Sequence, residues 1–477
     1  MTTLSLRRNA PFFAAASALV LAACASLPPA QPARVAKAPQ AYETAQTLAA
    51  APTAEWPADA WWTAYGDTQL NALEDEALKG SPTLAAAEAR LRRAQSLVSQ
   101  AKAADLPRVG LGADIGESKQ SYNAGIPPAF VPHGYNDVGR LALDASWELD
   151  FFGKNRAAVA AATSEAKAAQ ADAAQARLTL STAIASTYAE LLRLYAQRDV
   201  AAQAVRLREE TSNLVAKRVA NGLDTKAESE QAAAGPPASK AELSAIDEQI
   251  ALTRNALAAL VGAGPDRGLA IARPANVSIK PFGLPQNLPA NLIGRRPDVV
   301  AAKWRAEAAT SRTKQAKAMF YPDVNLTGFI GVQSLYLDKL FSSGSDIGQI
   351  GPALRLPIFE GGRLRAGLRG AEADRDAAVA SYDGTLTQAL REVADVTASE
   401  KALTSRLADA RQALTANENA YRIARLRYEG QLSTYQSVLL AEQSVLTQRR
   451  VVADLESRAF ALDIALIRAL GGGFTGA

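Results

Sequence analysis

The side chains that most often do chemistry are nearly absent from this chain of 477 residues, which has one cysteine, Cys24, one histidine, His133, and two methionines. One thiol cannot form an intrachain disulfide, and one thiol with one imidazole cannot build a soft-metal centre, so no metal site is expected. His133 lies in Pro127-Pro128-Ala129-Phe130-Val131-Pro132-His133-Gly134, a turn-rich stretch that reads as ordinary loop. The acidic run Glu74-Asp75-Glu76 reads as a wet helix face, and no nucleophile, base and oxyanion donor assemble, so no enzyme and no cofactor are expected. Gly110, Gly112 and Gly116 have the wrong spacing for a phosphate-binding loop and fall inside an alternating segment, where they read as strand positions facing a lumen. What remains is the thiol of Cys24, placed directly after Leu21-Ala22-Ala23 at the end of an apolar run.

That run, Ala10 to Ala23, follows a short basic region with Arg7 and Arg8 and is too short to cross a bilayer of about 30 Å as a helix. It reads as a cleaved signal over 1–23. The junction resembles the bacterial lipobox, which implies that Cys24 becomes the first residue and carries a covalent lipid; the alternative is a plain secretory signal with an incidental cysteine. Ala25, where an Asp would retain the chain at the inner membrane, implies release to the outer membrane. More than one acyl chain on Cys24 makes a stable anchor. Residues 24–55, rich in Ala, Pro and Gln without apolar periodicity, read as a lipidated tether laid along the outside of the protein.

Composition sets the architecture that such an anchor would hold. The chain is 48% apolar, 21% charged and only 6% aromatic, with alanine abundant, which suits small side chains packed closely over long helices. With 52 basic and 48 acidic residues the net charge is +4, and no run of like charge is long enough to bind a polyanion, so nucleic acid is excluded as a partner.

The sequence is also written twice. Ser81-Pro82-Thr83-Leu84 opens a helical run that ends at Leu106-Pro107, before Val109-Gly110-Leu111; Arg296-Pro297-Asp298-Val299 opens another that ends at Tyr321-Pro322, before Val324-Asn325-Leu326. Trp147 to Arg156 corresponds to Leu354 to Arg363. The halves, 56–270 and 291–470, are joined by a linker over 271–290 and followed by a tail over 471–477. Each reads helix, strand, strand, long helix, helix, with strands near 108–118, 139–151, 323–336 and 347–359. Alternation in Arg140 to Asp150 puts Leu141, Leu143, Ala145, Trp147 and Leu149 on a lipid-facing side and Arg140, Asp144, Ser146, Glu148 and Asp150 on a lumen side. Ile350, Leu354, Leu356 and Ile358 repeat the apolar set. Four strands cannot close a barrel, and open edges in hydrocarbon leave backbone groups unpaired at several kcal/mol each, so the chain must oligomerise; three copies give twelve strands.

Two proline-free stretches, about 155–220 and 363–429, read as helices of roughly 95 Å at about 1.5 Å per residue. Val438, Val445 and Val452, with Leu455 and Leu462, form a heptad seam after the second. Turns at Asn221-Gly222-Leu223 and Gly430-Gln431-Leu432 fold the helices back, with glycine supplying the turn. Ala234-Gly235-Pro236-Pro237 predicts a kink or break in the returning helix.

With Trp61-Trp62, Tyr65-Gly66-Asp67, Leu288-Pro289, Arg295-Arg296-Pro297-Asp298-Val299 and Ala316-Lys317-Ala318-Met319-Phe320-Tyr321-Pro322 in place, the chain resembles the TolC-like outer-membrane efflux proteins, and among them the NodT-type lipoproteins of resistance-nodulation-division pumps. The resemblance implies a mainly α fold with a transmembrane β-barrel: a homotrimeric twelve-stranded barrel continuous with a twelve-helix periplasmic α-barrel. It implies an exit duct for drugs or other small toxic compounds, working with a periplasmic adaptor and an inner-membrane resistance-nodulation-division transporter. It also implies adaptor contact at the tips Asn221, Gly222, Leu223, Gly430, Gln431 and Leu432, and a periplasmic gate at Tyr428, Ser433, Thr434, Ser437 and Leu440. Family members often carry an acidic residue where Ser437 or Leu440 stands, so closure here depends on apolar contact and dewetting, unless Glu442 or Glu228 substitutes. A protein-secretion or metal-export duct would share the tunnel; a lipid-anchored periplasmic coiled-coil scaffold would share the heptads but not the paired strands.

Overall fold

A computed structural model of the chain describes residues 29, 32–38, 41–48, 52–275, 277–279, 282–286 and 288–476. Cys24 and the signal segment lie outside the described residues, as does part of the tether. The principal elements are α1 (Thr68–Gly80), α2 (Pro82–Ala103), β1 (Arg108–Ser118), β2 (Asn136–Leu149), α3 (Lys154–Ala220), α4 (Lys226–Ala233), α5 (Gly235–Leu260), α6 (Leu288–Arg295), α7 (Pro297–Ala318), β3 (Asp323–Ser334), β4 (Asp346–Arg355), α8 (Arg363–Glu429) and α9 (Tyr435–Leu470).

The duplication is exact in length for two pairs of helices. Both α2 and α7 have 22 residues and begin with proline, whose missing N–H costs nothing in a first turn; both α3 and α8 have 67. The halves of the sequence are not the compact units of the fold. One unit takes Leu91–Ala169 and Lys303–Ser381 with the described residues up to Ala36, and the other takes Lys37–Arg90, Gln170–Ala302 and Tyr382–Ala477, so each draws matching pieces from both halves.

The first unit holds an antiparallel sheet in the order β1-β2-β3-β4. Three of its strands end earlier than expected, β3 by two residues at Ser334. Asp150 is not a lumen-side strand residue: its carboxylate leaves β2 to accept the Arg156 N–H, 2.9 Å away, in the first turn of α3. β4 stops at Arg355, so Leu356 and Ile358 are not strand residues, because Pro357 between them has no N–H to give a ladder. β2 in turn begins at Asn136, three residues before the expected start.

In the second unit, Trp61, Trp62 and Tyr65 are buried against α3, α5 and α9 with Leu70, Tyr188, Leu257 and Phe460. Asp67 caps α1, accepting from the N–H groups of Gln69 and Leu70 at 2.8 and 2.9 Å and from the Tyr188 hydroxyl at 2.8 Å. The acidic run that follows is not a uniformly wet face: Asp75 is exposed and Glu76 pairs with Arg267 at 2.9 Å, but Glu74 faces inward and is fully buried. The Pro236-Pro237 break falls at Ala234. α4 closes there, and α5 starts anew with both prolines in its first turn. No described helix is long and apolar enough to cross a membrane.

Candidate channel wall and helix tips

Cross-strand partners in an antiparallel ladder share a face, so the register sorts the sheet. On one side stand Val109, Leu111 and Ile115 of β1, Leu141, Leu143, Ala145, Trp147 and Leu149 of β2, Val324, Leu326, Ile330 and Val332 of β3, and Ile350 and Leu354 of β4. On the other stand Arg108, Asp114, Arg140, Asp144, Ser146, Glu148, Asn325, Thr327, Gln333, Gln349 and Arg355, interleaved with Gly110, Gly112, Gly116, Val138, Ala142, Phe329, Ile347 and Ala353. The apolar side is as open to solvent as the polar one: Val109, Leu111, Ile115, Ile330, Ile350 and Leu354 are each 68–79% exposed. Each such side chain left in water forgoes roughly 1.5–3 kcal/mol, so this face calls for an apolar covering. The polar side is knit locally, with Arg140 3.1 Å from Asp144 and its guanidinium over the Phe329 ring at 5.3 Å. Aromatic side chains flank the sheet at both ends: Phe151, Phe152, Tyr321 and Phe359 where the helices begin, and Phe130, Tyr135, Tyr336 and Phe341 in the far loops.

The far ends of α3 and α8 finish identically. Leu223 N–H donates to Arg218 O and Gly222 N–H to Val219 O; Leu432 N–H donates to Arg427 O and Gln431 N–H to Tyr428 O. Each is a Schellman stop, which needs a left-handed residue: Gly222 at φ 72° and Gln431 at φ 65°. Behind the stops Tyr428, wholly buried, packs with Val215, Ala232, Tyr435 and Val438. Its hydroxyl donates to Asp224, and Asp224 also accepts from Arg218 at 2.9 and 3.3 Å. The Arg218 guanidinium lies 4.3 Å from the Tyr428 ring centre and donates to the Tyr428 carbonyl at 2.9 Å. Burial works to raise the Asp224 carboxyl, but the bonds from Arg218 and Tyr428 outweigh it and hold it below the usual carboxylate range, while burial and then Asp224 push the Tyr428 phenol up.

Known proteins share both the sequence and the arrangement. The profile of the outer membrane efflux protein family matches residues 73–263 and 288–472. The chain belongs to the outer membrane efflux protein family. Among solved structures, the outer membrane protein VceC of Vibrio cholerae is similar at a TM-score of 0.83 and 49% identity, over 88% of this chain and 100% of VceC. The fusaric acid resistance protein FusA of Burkholderia cepacia is 36% identical over 364 residues, 75% of this chain and 68% of FusA. The multidrug resistance outer membrane protein MdtP of Escherichia coli is 30% identical over 426 residues, 88% of this chain and 87% of MdtP. This efflux protein is therefore an outer-membrane channel component with a periplasmic extension, in a family of channels rather than enzymes.

The residues expected at the gate and tips of the efflux protein fall into two environments. Thr434, Ser437 and Leu440 are exposed and Ser433 is half-buried, but Tyr428 points into the tip and binds it together. Both acidic substitutes are already engaged in local bonds, and only Glu442 is buried. Glu442 is 2% exposed, accepts the Thr211 hydroxyl at 2.9 Å and lies 3.6 Å from Arg208, with burial pushing its carboxyl up; Glu228 closes a capping box with Thr225. Asn221, Gly222, Leu223, Gly430, Gln431 and Leu432 are all exposed, Leu432 by 71%. Sequence reasoning overlooked Arg218 and Asp224. Aligning the tips on their stops would have found Arg218, since Arg427 occupies the same place, whereas Asp224 faces only Ser433 in the other half.

Glycine does not supply the second turn. Gly430 keeps an ordinary φ and Gln431 takes the left-handed one, where a side chain costs roughly 1–2 kcal/mol. Gln431→Gly is expected to stabilise the protein by about 1 kcal/mol, read as a higher denaturant midpoint with unchanged slope; an equal or lower midpoint would show that the side chain is not strained there.

Proposed function

We propose that three copies of the chain close their sheets into a twelve-stranded barrel in the outer membrane, polar side inward, continuous with a tunnel of helices in the periplasm. The observation that carries this reading is the four-stranded sheet with an exposed apolar face, a polar face and two edge strands, β1 and β4, that have no outer partner among the described residues. In hydrocarbon those edges would strand N–H and C=O groups at several kcal/mol each, and neighbouring copies supply the missing partners. Cys24 carries the covalent lipid that adds a second hold on the membrane.

The duct passively releases drugs or other small toxic compounds delivered by an inner-membrane resistance-nodulation-division transporter. A periplasmic adaptor joins the two at the tips, where Leu223 and Leu432 offer exposed apolar contacts. The names of FusA and MdtP, resistance to fusaric acid and to multiple drugs, support small molecules as the cargo. The Arg218–Asp224–Tyr428 knot holds the periplasmic end narrow, with Ser433, Thr434, Ser437 and Leu440 around the opening.

Deleting the gene is expected to raise susceptibility to dyes, detergents and antibiotics; unchanged susceptibility with lost secretion of a protein or metal would replace this reading. Leu432→Arg is expected to abolish complementation while trimers remain intact, and normal export by that variant would remove the adaptor contact. Tyr428→Phe, which deletes the hydroxyl that donates to Asp224, is expected to increase entry of a large hydrophilic dye. No change in entry would separate the knot from the gate.

A further inference from the structure

We infer that the loop between β3 and β4 is part of the lipid-contacting surface, and that Leu337 and Phe341 lie among the acyl chains of the outer leaflet. This rests on the barrel reading and extends it from the strands to a loop.

The register gives the direction of the loop. Gly139 of β2 pairs with Ile115, so both belong to the apolar side of the sheet. A side chain built on Gly139 would meet Leu337 at 2.7 Å and Leu340 at 3.2 Å. Leu337 and Leu340 therefore lie on the outside of the sheet, over the one position of that row with no side chain, and bury Gly139 there. The loop is held in this shape by its own bonds. The Ser345 hydroxyl donates to Lys339 O at 2.7 Å, Gln333 N–H donates to Ser345 O at 2.8 Å, and Leu340 N–H closes a tight turn onto Leu337 O. Phe341 is nevertheless 77% exposed, and Leu337 and Tyr336 stay exposed beside it.

The height of the apolar band says what covers them. Along β2 the unbroken apolar row runs from Leu141 to Leu149, about 27 Å of strand at ~3.4 Å per residue. At a tilt near 40° that is about 21 Å of height, short of the ~25 Å lipid-facing band of such barrels. Gly139, one step above Leu141, is where the row fails, and Leu337, Leu340 and Phe341 supply the missing step. On β2 the residue two beyond Gly139 is Asp137, opposite Glu117, and on β4 Asp346 stands on the same side opposite Val332, so charged residues close the band at this end of the sheet. Lys339, its ammonium 5.4 Å from the Tyr336 ring centre, makes with that ring the amphipathic pair favoured at headgroup level.

The test uses single cysteines carrying a nitroxide at Phe341→Cys, Leu111→Cys on the apolar row and Gln349→Cys on the polar side, in the full chain reconstituted into phosphatidylethanolamine–phosphatidylglycerol vesicles, with the unsubstituted protein as labelling background. Collision with oxygen, which concentrates in the bilayer, is compared with collision with a water-soluble nickel chelate. Oxygen is expected to dominate at 341 and 111 and the chelate at 349. Oxygen at 111 with the chelate at 341 would overturn the inference and leave the barrel standing. The chelate at 111 would remove the barrel reading, and the loop assignment with it.

Discussion

Replacing Arg296 with alanine is expected to cost about 3–5 kcal/mol of stability, the loss that follows when one member of a buried ion cluster is deleted and its partners are left behind. The guanidinium, only 6% exposed, is forked onto both oxygens of Asp298 at 3.0 and 2.6 Å, reaches Glu392 at 2.7 Å and donates to the carbonyl of Ala469 at 3.1 Å. Four contacts from one side chain thus tie the start of α7 to the middle of α8 and the end of α9. Burial works against the charge, and Asp298 and Glu392 outweigh it, holding the group protonated. Arg296→Lys should recover only part of the loss, because an ammonium cannot reproduce the planar fork. Denaturant unfolding of the extracted protein checks both variants. A change below about 1 kcal/mol for the alanine variant would mean that the cluster is bystander to the fold.

Arg296 also shows how far the sequence could be read. The motif Arg295-Arg296-Pro297-Asp298-Val299 stands out in the chain, and Pro297 correctly marks a first helical turn. What the arginine holds could not be seen, because Glu392 and Ala469 are 96 and 173 residues away. Periodicity served well wherever one rule governed a whole element. The alternation from Leu141 to Leu149 sorts β2 into an apolar and a polar row, and the absence of proline marks both 67-residue helices. It failed at ends, where a single residue decides. Pro357 ends β4 early, Asp150 prefers a helix start to a ladder, and Gln431 adopts the backbone shape that composition assigned to Gly430.

The tips show a second limit. A residue one position along a helix points about 100° away, so assigning Tyr428 or Glu442 to an opening or to an interior requires knowing the rotation of α8 and α9 against α3. Residue type misleads here, since a tyrosine is at home in either place and a glutamate reads as solvated. The structure buries both. Tyr428 is satisfied by Asp224, and Glu442 by Thr211, partners whose nearness no spacing along the chain reveals.

Glu74→Gln is expected to make the efflux protein more stable than the natural chain, by an amount that grows with pH. Glu74 lies on the face of α1 that carries Leu70, Leu73 and Ala77 into the core, and neither carboxyl oxygen has a hydrogen-bond partner among the described residues. Burial, and next the charge of Asp75, push its carboxyl up to about 9 from 4.5, with Arg177 acting weakly the other way. The folded protein therefore keeps the Glu74 proton over a range in which the unfolded chain has released it. Fewer protons bound in the unfolded state make stability fall as pH rises, by up to about 1.4 kcal/mol per unit. The loss begins near the unfolded value of 4.5 and levels off above the folded value of about 9. Glutamine has the shape of the protonated acid and no proton to lose, so its own cost in the core is constant with pH. At pH 7 the natural chain should thus have lost about 3 kcal/mol that the variant retains. Unfolding curves of both proteins at pH 5 and pH 8 measure this directly: the gap between them widens if Glu74 is held neutral, and parallel behaviour at the two pH values would show that water or a cation reaches the carboxylate.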